Sequence, residues 1–288
     1  MSAAARPVLA VASECAPLVK TGGLADVVGA LPAALASRGW AIRTLLPGYR
    51  GVMKALKRPR VAAELPDLLG TPVRLLAATA GGLDLLILDA PALYDRDGSP
   101  YLDAQGNDWP DNDLRFAVLN LAAALIAADG IKGWRPEVVH LHDWQAGLTP
   151  LYMASAGAAQ PCVMTIHNIA FHGLTGAERL KALGLPAEGF TLDGFEYYGH
   201  ISALKAGLTG AQAITTVSPT YAQELATEDF GMGLDGVIRA RAHDLTGILN
   251  GIDTDAWDPT RDPVIRRFSA PGGKAANKRA LRAEFGLA

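Results

Sequence analysis

Short apolar runs bounded by turn-forming residues alternate along this chain with longer segments rich in Ala and Leu, the pattern of strands alternating with helices in a parallel sheet. The runs Pro7–Ser13, Ala41–Leu46, Val73–Ala78, Leu83–Leu88, Glu137–Leu141, Pro161–Ile166, Gln212–Val217 and Leu245–Leu249 read as strands. Most show no alternation of apolar and polar positions, so they are expected to be buried on both faces. Between them Gly23–Arg38, Asp113–Asp129, Gln145–Ala156, Ser202–Leu208 and Pro219–Ala226 read as helices. Pro32 is expected to kink the first of these or to end its regular part early. The recurring β-α-β order predicts an α/β fold built on a doubly wound, mostly parallel sheet.

Three stretches carry neither period. Asp89 to Asp111 combines Pro91, Gly98, Pro100, Gly106 and Pro110 with several aspartates, and a loop of that length inside a compact domain is usually functional or disordered. Gly184 to Gly199 is a second such loop, whose Phe190, Phe195, Tyr197 and Tyr198 predict an ordered insertion. Asn250 to Gly273, dense in Asp, Pro and Gly, reads as a linker leading into a short basic helix, Lys274 to Phe285. The expected organisation is therefore one domain over 1–250 and a linker with the start of a further domain over 251–288.

Composition narrows the classes. Half of the 288 residues are hydrophobic and 19% are charged, a balance that builds a large core and excludes disorder over most of the length. With 26 Lys and Arg against 29 Asp and Glu the net charge is −3, which excludes a simple basic nucleic-acid binder. No apolar stretch approaches the ~20 residues that span a bilayer, and the start of the chain lacks the pattern of a signal peptide, so no membrane attachment is expected. Cys15 and Cys162 lie in or beside apolar segments as small hydrophobes, which fits a reducing cytoplasm.

The candidate chemistry sits where strands end. Lys20-Thr21-Gly22-Gly23-Leu24-Ala25-Asp26 follows the first strand and opens the first helix. Glycines there let a ligand approach the backbone, free N–H groups at a helix start favour a phosphate, and Lys20 adds a cation. His140-Leu141-His142-Asp143-Trp144 closes another strand, and the two-residue period puts both imidazoles on one face. Two imidazoles and a carboxylate can begin a zinc or iron site, with His167, His172 or Asp193 as further ligands, so a metal-dependent hydrolase is one reading. His167 and Asn168 follow a third strand. Since ligands of open α/β sheets bind beyond the carboxyl ends of the strands, Lys20, Asp143 and His167 are expected to border one crevice. The long loop adds Tyr94 to Tyr101, where aromatic faces and carboxylates together suit carbohydrate. A Gly-x-Gly-x-x-Gly at Gly231–Gly236 lacks the preceding strand of a dinucleotide fingerprint and reads as a loop.

Seven segments in chain order, KTGGLADVVGALP, LYDRDGSPY, EVVHLHDWQAGL, TIHNIAFHG, ISALKAGL, ITTVSPTYAQE and GILNGID, resemble the bacterial glycogen synthases and plant starch synthases. The resemblance runs from Val8 to the Asn277-Lys278-Arg279 segment. It implies the amino-terminal, acceptor-side half of a GT-B enzyme, a Rossmann-like domain that faces a second, carboxyl-terminal domain across a cleft. It also implies a retaining transfer of glucose from ADP-glucose to the 4-hydroxyl of an α-1,4-glucan such as glycogen, without a metal or other cofactor. By position, Lys20 matches the lysine assigned to ADP-glucose, Gly22 and Gly23 the glycines that admit the donor, and Asp26 a cleft residue of the same motif. Tyr101, Asp143, Trp144, His167, Asn168 and Asn250 match residues around the glucosyl group or the acceptor, with His167 and Asp143 nearest the chemistry. A non-enzymatic glucan-binding module is the other reading that the exposed aromatics support.

Overall fold

A computed structural model describes residues 5–255 and 257–287. In chain order the elements begin β1 (Arg6–Val11), α1 (Gly23–Ala36), β2 (Trp40–Pro47), α2 (Arg50–Ala55), β3 (Arg60–Leu68), β4 (Thr71–Ala80) and β5 (Leu83–Asp89). They continue with α3 (Pro91–Tyr94), α4 (Asn112–Asp129), β6 (Val138–His142), α5 (Thr149–Ser155), β7 (Cys162–Ile166), β8 (Leu174–Gly176), β9 (Glu196–Tyr197) and β10 (His200–Ser202). The last are α6 (Ala203–Gly210), β11 (Ala213–Thr216), α7 (Pro219–Glu224), α8 (Asp235–Ala240), β12 (Leu245–Gly247) and α9 (Lys274–Glu284).

The large sheet has the order β12-β11-β7-β6-β1-β2-β5-β4-β3. From β12 to β5 every pairing is parallel, and β4 and β3 close one side as an antiparallel pair. Central β1 shows why the apolar runs do not alternate. Val8 and Ala10 pack with Leu31 and Leu35 of α1 on one face, while Leu9 and Val11 join Phe116, Ala117 and Leu119 of α4 in the main core on the other. Both faces being covered, each position must be apolar, and burying a Val or Leu side chain contributes roughly 1.5–3 kcal/mol.

The expected strands are all present, but three expectations change. Val73–Ala78 lies in β4, which is antiparallel and whose first residues alternate between buried and exposed. Its partner β3, not expected from the sequence, is an edge strand with mostly exposed residues and an internal Pro66. Gln145–Ala156 is not one helix: a turn over Trp144–Ala146 gives way at Gly147 and Leu148 to α5, whose Pro150 lacks the N–H that a continuous helix would donate to Ala146, and Gly147 packs against the Ala203 backbone. Helix α1, by contrast, continues through Pro32 to Ala36. The glycine-rich Gly231–Gly236 leads into the six-residue α8, with helix α7 and turns rather than a strand before it.

Both long loops are ordered by buried side chains. Arg115 of α4, 1% exposed, donates to the carbonyls of Leu93 (2.9 Å) and Pro100 (2.9 Å) and to Asn112 Oδ1 (2.6 Å), binding the first loop to the helix from inside. The second loop contributes β9 to a small antiparallel sheet, β8-β10-β9, and buries Phe195. Cys15 and Cys162 are buried free thiols whose pKa burial pushes up to about 12, leaving them as apolar filling. Among the described residues no helix is long and apolar enough to cross a membrane.

The chain divides after Asn250 into two compact units. In the smaller one Asp258 accepts from Thr260 Oγ1 (2.7 Å) and Arg261 Nε (2.7 Å), and Asn277 of α9 exchanges hydrogen bonds of 2.9 and 2.8 Å with the Arg266 backbone.

Close backbone packing at Gly147 makes a direct test of the fold. Gly147→Ala is expected to lose roughly 2–3 kcal/mol in urea denaturation, since a methyl group there meets the Ala203 carbonyl. Gly51→Ala, in open space on α2, should be neutral or up to about 1 kcal/mol stabilising.

Candidate functional site

The strand order reverses direction around β1, because β2 and β5 lie to one side of it and β6, β7, β11 and β12 to the other. The crevice at such a reversal lies at the carboxyl ends of β1 and β6. Chain segments leaving those ends carry most of the residues singled out above.

Beyond β1 the chain passes Ser13 and Glu14, folds back through a Cys15–Val19 bridge and reaches Lys20. Lys20 Nζ donates to both carboxylate oxygens of Asp26 at 2.7 Å, with the side chains 50% and 55% exposed. A pair this exposed is worth at most about 1 kcal/mol, so the amine can turn to a stronger anion. Gly22 is the N-cap of α1 and supplies no side-chain acceptor to the first turn. A methyl group on Gly22 or Gly23 would meet nothing within 4 Å, which leaves the backbone open to a ligand. The amides just before the helix are not free, however. Those of Thr21 and Gly22 donate to Glu14, so any anion is left with the first turn of α1 itself.

At the end of β6, Asp143 has φ +54°, a left-handed conformation uncommon for a residue with a side chain. The turn aims its carboxylate at the end of β7, where Oδ1 accepts the backbone N–H of His167 (2.7 Å) and of Asn168 (3.3 Å). Burial raises the Asp143 pKa to about 7, with a smaller push in the same direction from the Glu14 carboxylate, against the pull of the two amides. Asp143 therefore exchanges its proton near neutrality.

Three imidazoles line the rim beneath. His140 Nε2 meets Thr165 Oγ1 at 2.7 Å, the His140 and His142 rings are 4.2 Å apart, and His142 Nδ1 lies 3.0 Å from His167 Nε2. Burial lowers His140 and His167 to about 4 and holds His142 well below the ordinary imidazole range, so all three are neutral at pH 7. A neutral pair in contact needs one donor and one acceptor. His142 Nε2 is buried without a partner, and an unpaired lone pair is tolerated better than an unpaired N–H. His142 accordingly carries its proton on Nδ1 and donates to His167 Nε2, which places the His167 proton on Nδ1. His140 Nε2, His142 Nδ1 and His167 Nε2 are taken up in these contacts. Among the described residues no three His, Cys, Asp or Glu side chains are grouped as a metal ion requires.

The remaining residues are distributed unevenly. Tyr101 reaches the crevice from the first long loop, its hydroxyl hydrogen-bonded to Ser13 Oγ (2.8 Å) and to Glu14, its ring 6.2 Å from Phe116. Burial, chiefly, raises its pKa above the ordinary range. Trp144 turns inward, edge-on to Phe116 at 4.9 Å and beneath Gly173, where φ is +61° and a methyl group would strike the indole. Asn168 is exposed, its Oδ1 accepting the Ala170 N–H at 3.0 Å. Asn250 is exposed just beyond β12, the edge strand four places from β1. The residue missed from the sequence is Glu14. Its one signal was position, since it ends an apolar run two residues after Ala12 just as Asp143 ends the run of β6.

The sequence matches the starch synthase catalytic domain over residues 7–240. A glycogen synthase of Jannaschia sp. (strain CCS1) is 60% identical over 97% of this chain, and one of Paracoccus denitrificans (strain Pd 1222) is 58% identical over 97%. The chain spans 59% of the length of each of these curated relatives. Among solved structures, the catalytic domain of starch synthase IV from Arabidopsis thaliana, bound to ADP and acarbose, superposes with a TM-score of 0.79 at 29% identity, over 99% of this chain and 60% of that one. The chain belongs to the starch synthase catalytic-domain family.

Proposed function

We propose that this chain is the acceptor-side part of a retaining glucosyltransferase that moves glucose from ADP-glucose to the 4-hydroxyl end of an α-1,4-glucan, as in glycogen synthesis. The observation that carries the reading is a chain of contacts along one rim of the sheet: the turn that carries Lys20 is bound to Glu14, the Glu14 carboxylate acts on the buried Asp143 carboxyl, and Asp143 accepts the backbone N–H of His167. The names of the relatives, and the ADP and acarbose held by the Arabidopsis structure, support the same chemistry.

In this reading Lys20 leaves Asp26 for the diphosphate, and the first turn of α1 takes part of the same charge. As the bond from the anomeric carbon to the diphosphate oxygen breaks, its electron pair leaves with ADP. The acceptor O4 then bonds to the same face of the sugar, and its proton passes to the departing phosphate. Asp143 and His167 take sugar hydroxyls: a carboxyl that titrates near 7 and a neutral Nδ1–H offer both an acceptor and a donor. No metal or cofactor is required. In this reading a second GT-B domain would supply the base pocket and close the cleft.

Two measurements test this. In the native polypeptide that carries this chain, Lys20→Ala should lower incorporation of labelled glucose into glycogen roughly 30–100-fold, the scale of losing one charge-stabilising group. Wild-type kinetics in that variant would refute the role, and retardation by glycogen in a native gel without transfer would favour a glucan-binding module.

The second measurement uses pH and needs no activity. Between pH 6.5 and 4 the unfolded chain protonates its histidines, whereas His140 and His167 resist to about 4, so stability present above pH 6.5 is lost on acidification. Asp143 acts oppositely: it binds its proton in the folded state up to about pH 7, a contribution present at low pH and lost as pH rises through 7. Asp143→Asn should therefore steepen the acid loss by up to about 1.4 kcal/mol per pH unit near pH 5–6 and add stability above pH 7. Urea melts at pH 5, 6, 7 and 8 read this, and parallel profiles for the two proteins would overturn the assignment.

A further inference from the structure

Glu14 is 2% exposed, yet no Lys, Arg or His side chain is paired with it among the described residues. Its carboxylate instead gathers four neutral donors. Oε1 accepts from Thr21 Oγ1 (2.7 Å) and from the Tyr101 hydroxyl; Oε2 accepts from the Thr21 N–H and from the Gly22 N–H (3.3 Å). A carboxylate buried in this way is a costly means of filling space, since an apolar side chain would do that without desolvating a charge. What it does that an apolar residue cannot is join two segments far apart in the chain. One is the turn that carries Lys20 into α1. The other is the loop around Tyr101, 87 residues away, whose backbone is already fixed to α4: Asn112 Nδ2 donates to the Tyr101 carbonyl (2.9 Å) and Arg115 to that of Pro100 (2.9 Å).

We infer that Glu14 is a positioning residue that locks the Lys20 turn and Tyr101 into one arrangement, setting the anion-binding side of the crevice against its sugar side. The inference rests on the proposed transferase for its kinetic consequence, and on geometry alone for the lock. The partners also fix what can replace it. Both groups on Oε1 are hydroxyls, which accept as readily as they donate, and both on Oε2 are backbone N–H groups. A glutamine can therefore keep all four contacts, its oxygen toward the amides and its NH2 toward the hydroxyls. Alanine loses all of them, so the pair of variants separates the lock from the mere presence of a side chain.

The lock is tested first by amide exchange in this chain. Glu14→Ala should exchange Thr21 and Gly22 amides at least tenfold faster while Leu9 and Val11 in β1 stay protected, and Glu14→Gln should remain within threefold of wild type. Unchanged Thr21 and Gly22 amides in the alanine variant, or loss of protection throughout β1, would overturn the inference. The kinetic arm uses the native polypeptide that carries the chain. Glu14→Ala should lower kcat about 100-fold with Glu14→Gln recovering most of it, and adding Glu14→Ala to Lys20→Ala should cost less than about tenfold more, because Lys20 is already gone and only the Tyr101 side of the lock remains to be lost. Fully multiplicative losses would show that Glu14 does not act through Lys20. If wild type transfers no glucose but the exchange pattern holds, the lock stands and the proposed function falls.

Discussion

The reversal of strand order around β1 is the constraint on which the site depends. A strand whose neighbours are reached by crossovers leading both ways leaves its carboxyl end uncovered, because the helices that follow it and its neighbour depart to opposite faces. Glu14 and Asp143 leave adjacent strands at that gap, and His167 leaves the next strand along. Farther along the sheet the ends of the parallel strands are tied by hydroxyls, Thr216 Oγ1 donating to the Ile166 carbonyl at 2.9 Å. Here they are joined by carboxylates that accept backbone N–H groups, Glu14 from the turn after β1 and Asp143 from the start of the segment after β7.

Those ties explain why polar groups persist in a place where burial opposes them. Asp143 sits in a left-handed conformation with its pKa raised to about 7, and three imidazoles stay neutral because burial denies them a proton. Each would be replaced at lower cost by an apolar residue if stability alone mattered. Strain and shifted ionisation at one rim, while the rest of β1, β6 and β7 is ordinary apolar packing, is the division expected when a site is held by a scaffold that tolerates its cost.

Buried strands were legible because they have no choice of pattern: β1, with α1 on one face and α4 on the other, must be apolar at successive positions. Edge strand β3 was not read, since Pro66 and the adjacent Ala62 and Ala63 blur the alternation of Val61, Ala63 and Leu65, and its one covered edge pairs with β4. The same logic divides the site. Asp143 and His167 could be read because each follows a strand directly, and strand ends are visible in sequence, while Lys20 was marked by the glycines that open α1. The pairing of Lys20 with Asp26, the inward turn of Trp144 beneath Gly173, and the four donors around Glu14 depend on side-chain directions after turns, which spacing does not encode. The expected helix over Gln145–Ala156 was drawn through Pro150, which has no N–H to donate to Ala146, and the close packing of Gly147 on Ala203, more than fifty residues later, was not visible at all.

The exposure of Lys20 sets a physical condition on the proposed chemistry. An ammonium group half open to water interacts with a phosphate at 4 Å by only about 1 kcal/mol, against roughly 4 kcal/mol once the surroundings fall to an effective dielectric near 20. Asp26 further neutralises it in the open crevice. The buried elements of the rim, Glu14, Asp143 and His142, are by contrast already shielded and already oriented. A transferase built on this rim would thus keep these buried groups preorganised and leave its charge-stabilising group weak until a second surface excludes water from Lys20. Closure would then strengthen the attraction to the diphosphate while removing the water that competes with the glucan hydroxyl, so that one movement serves both rate and selectivity for the acceptor.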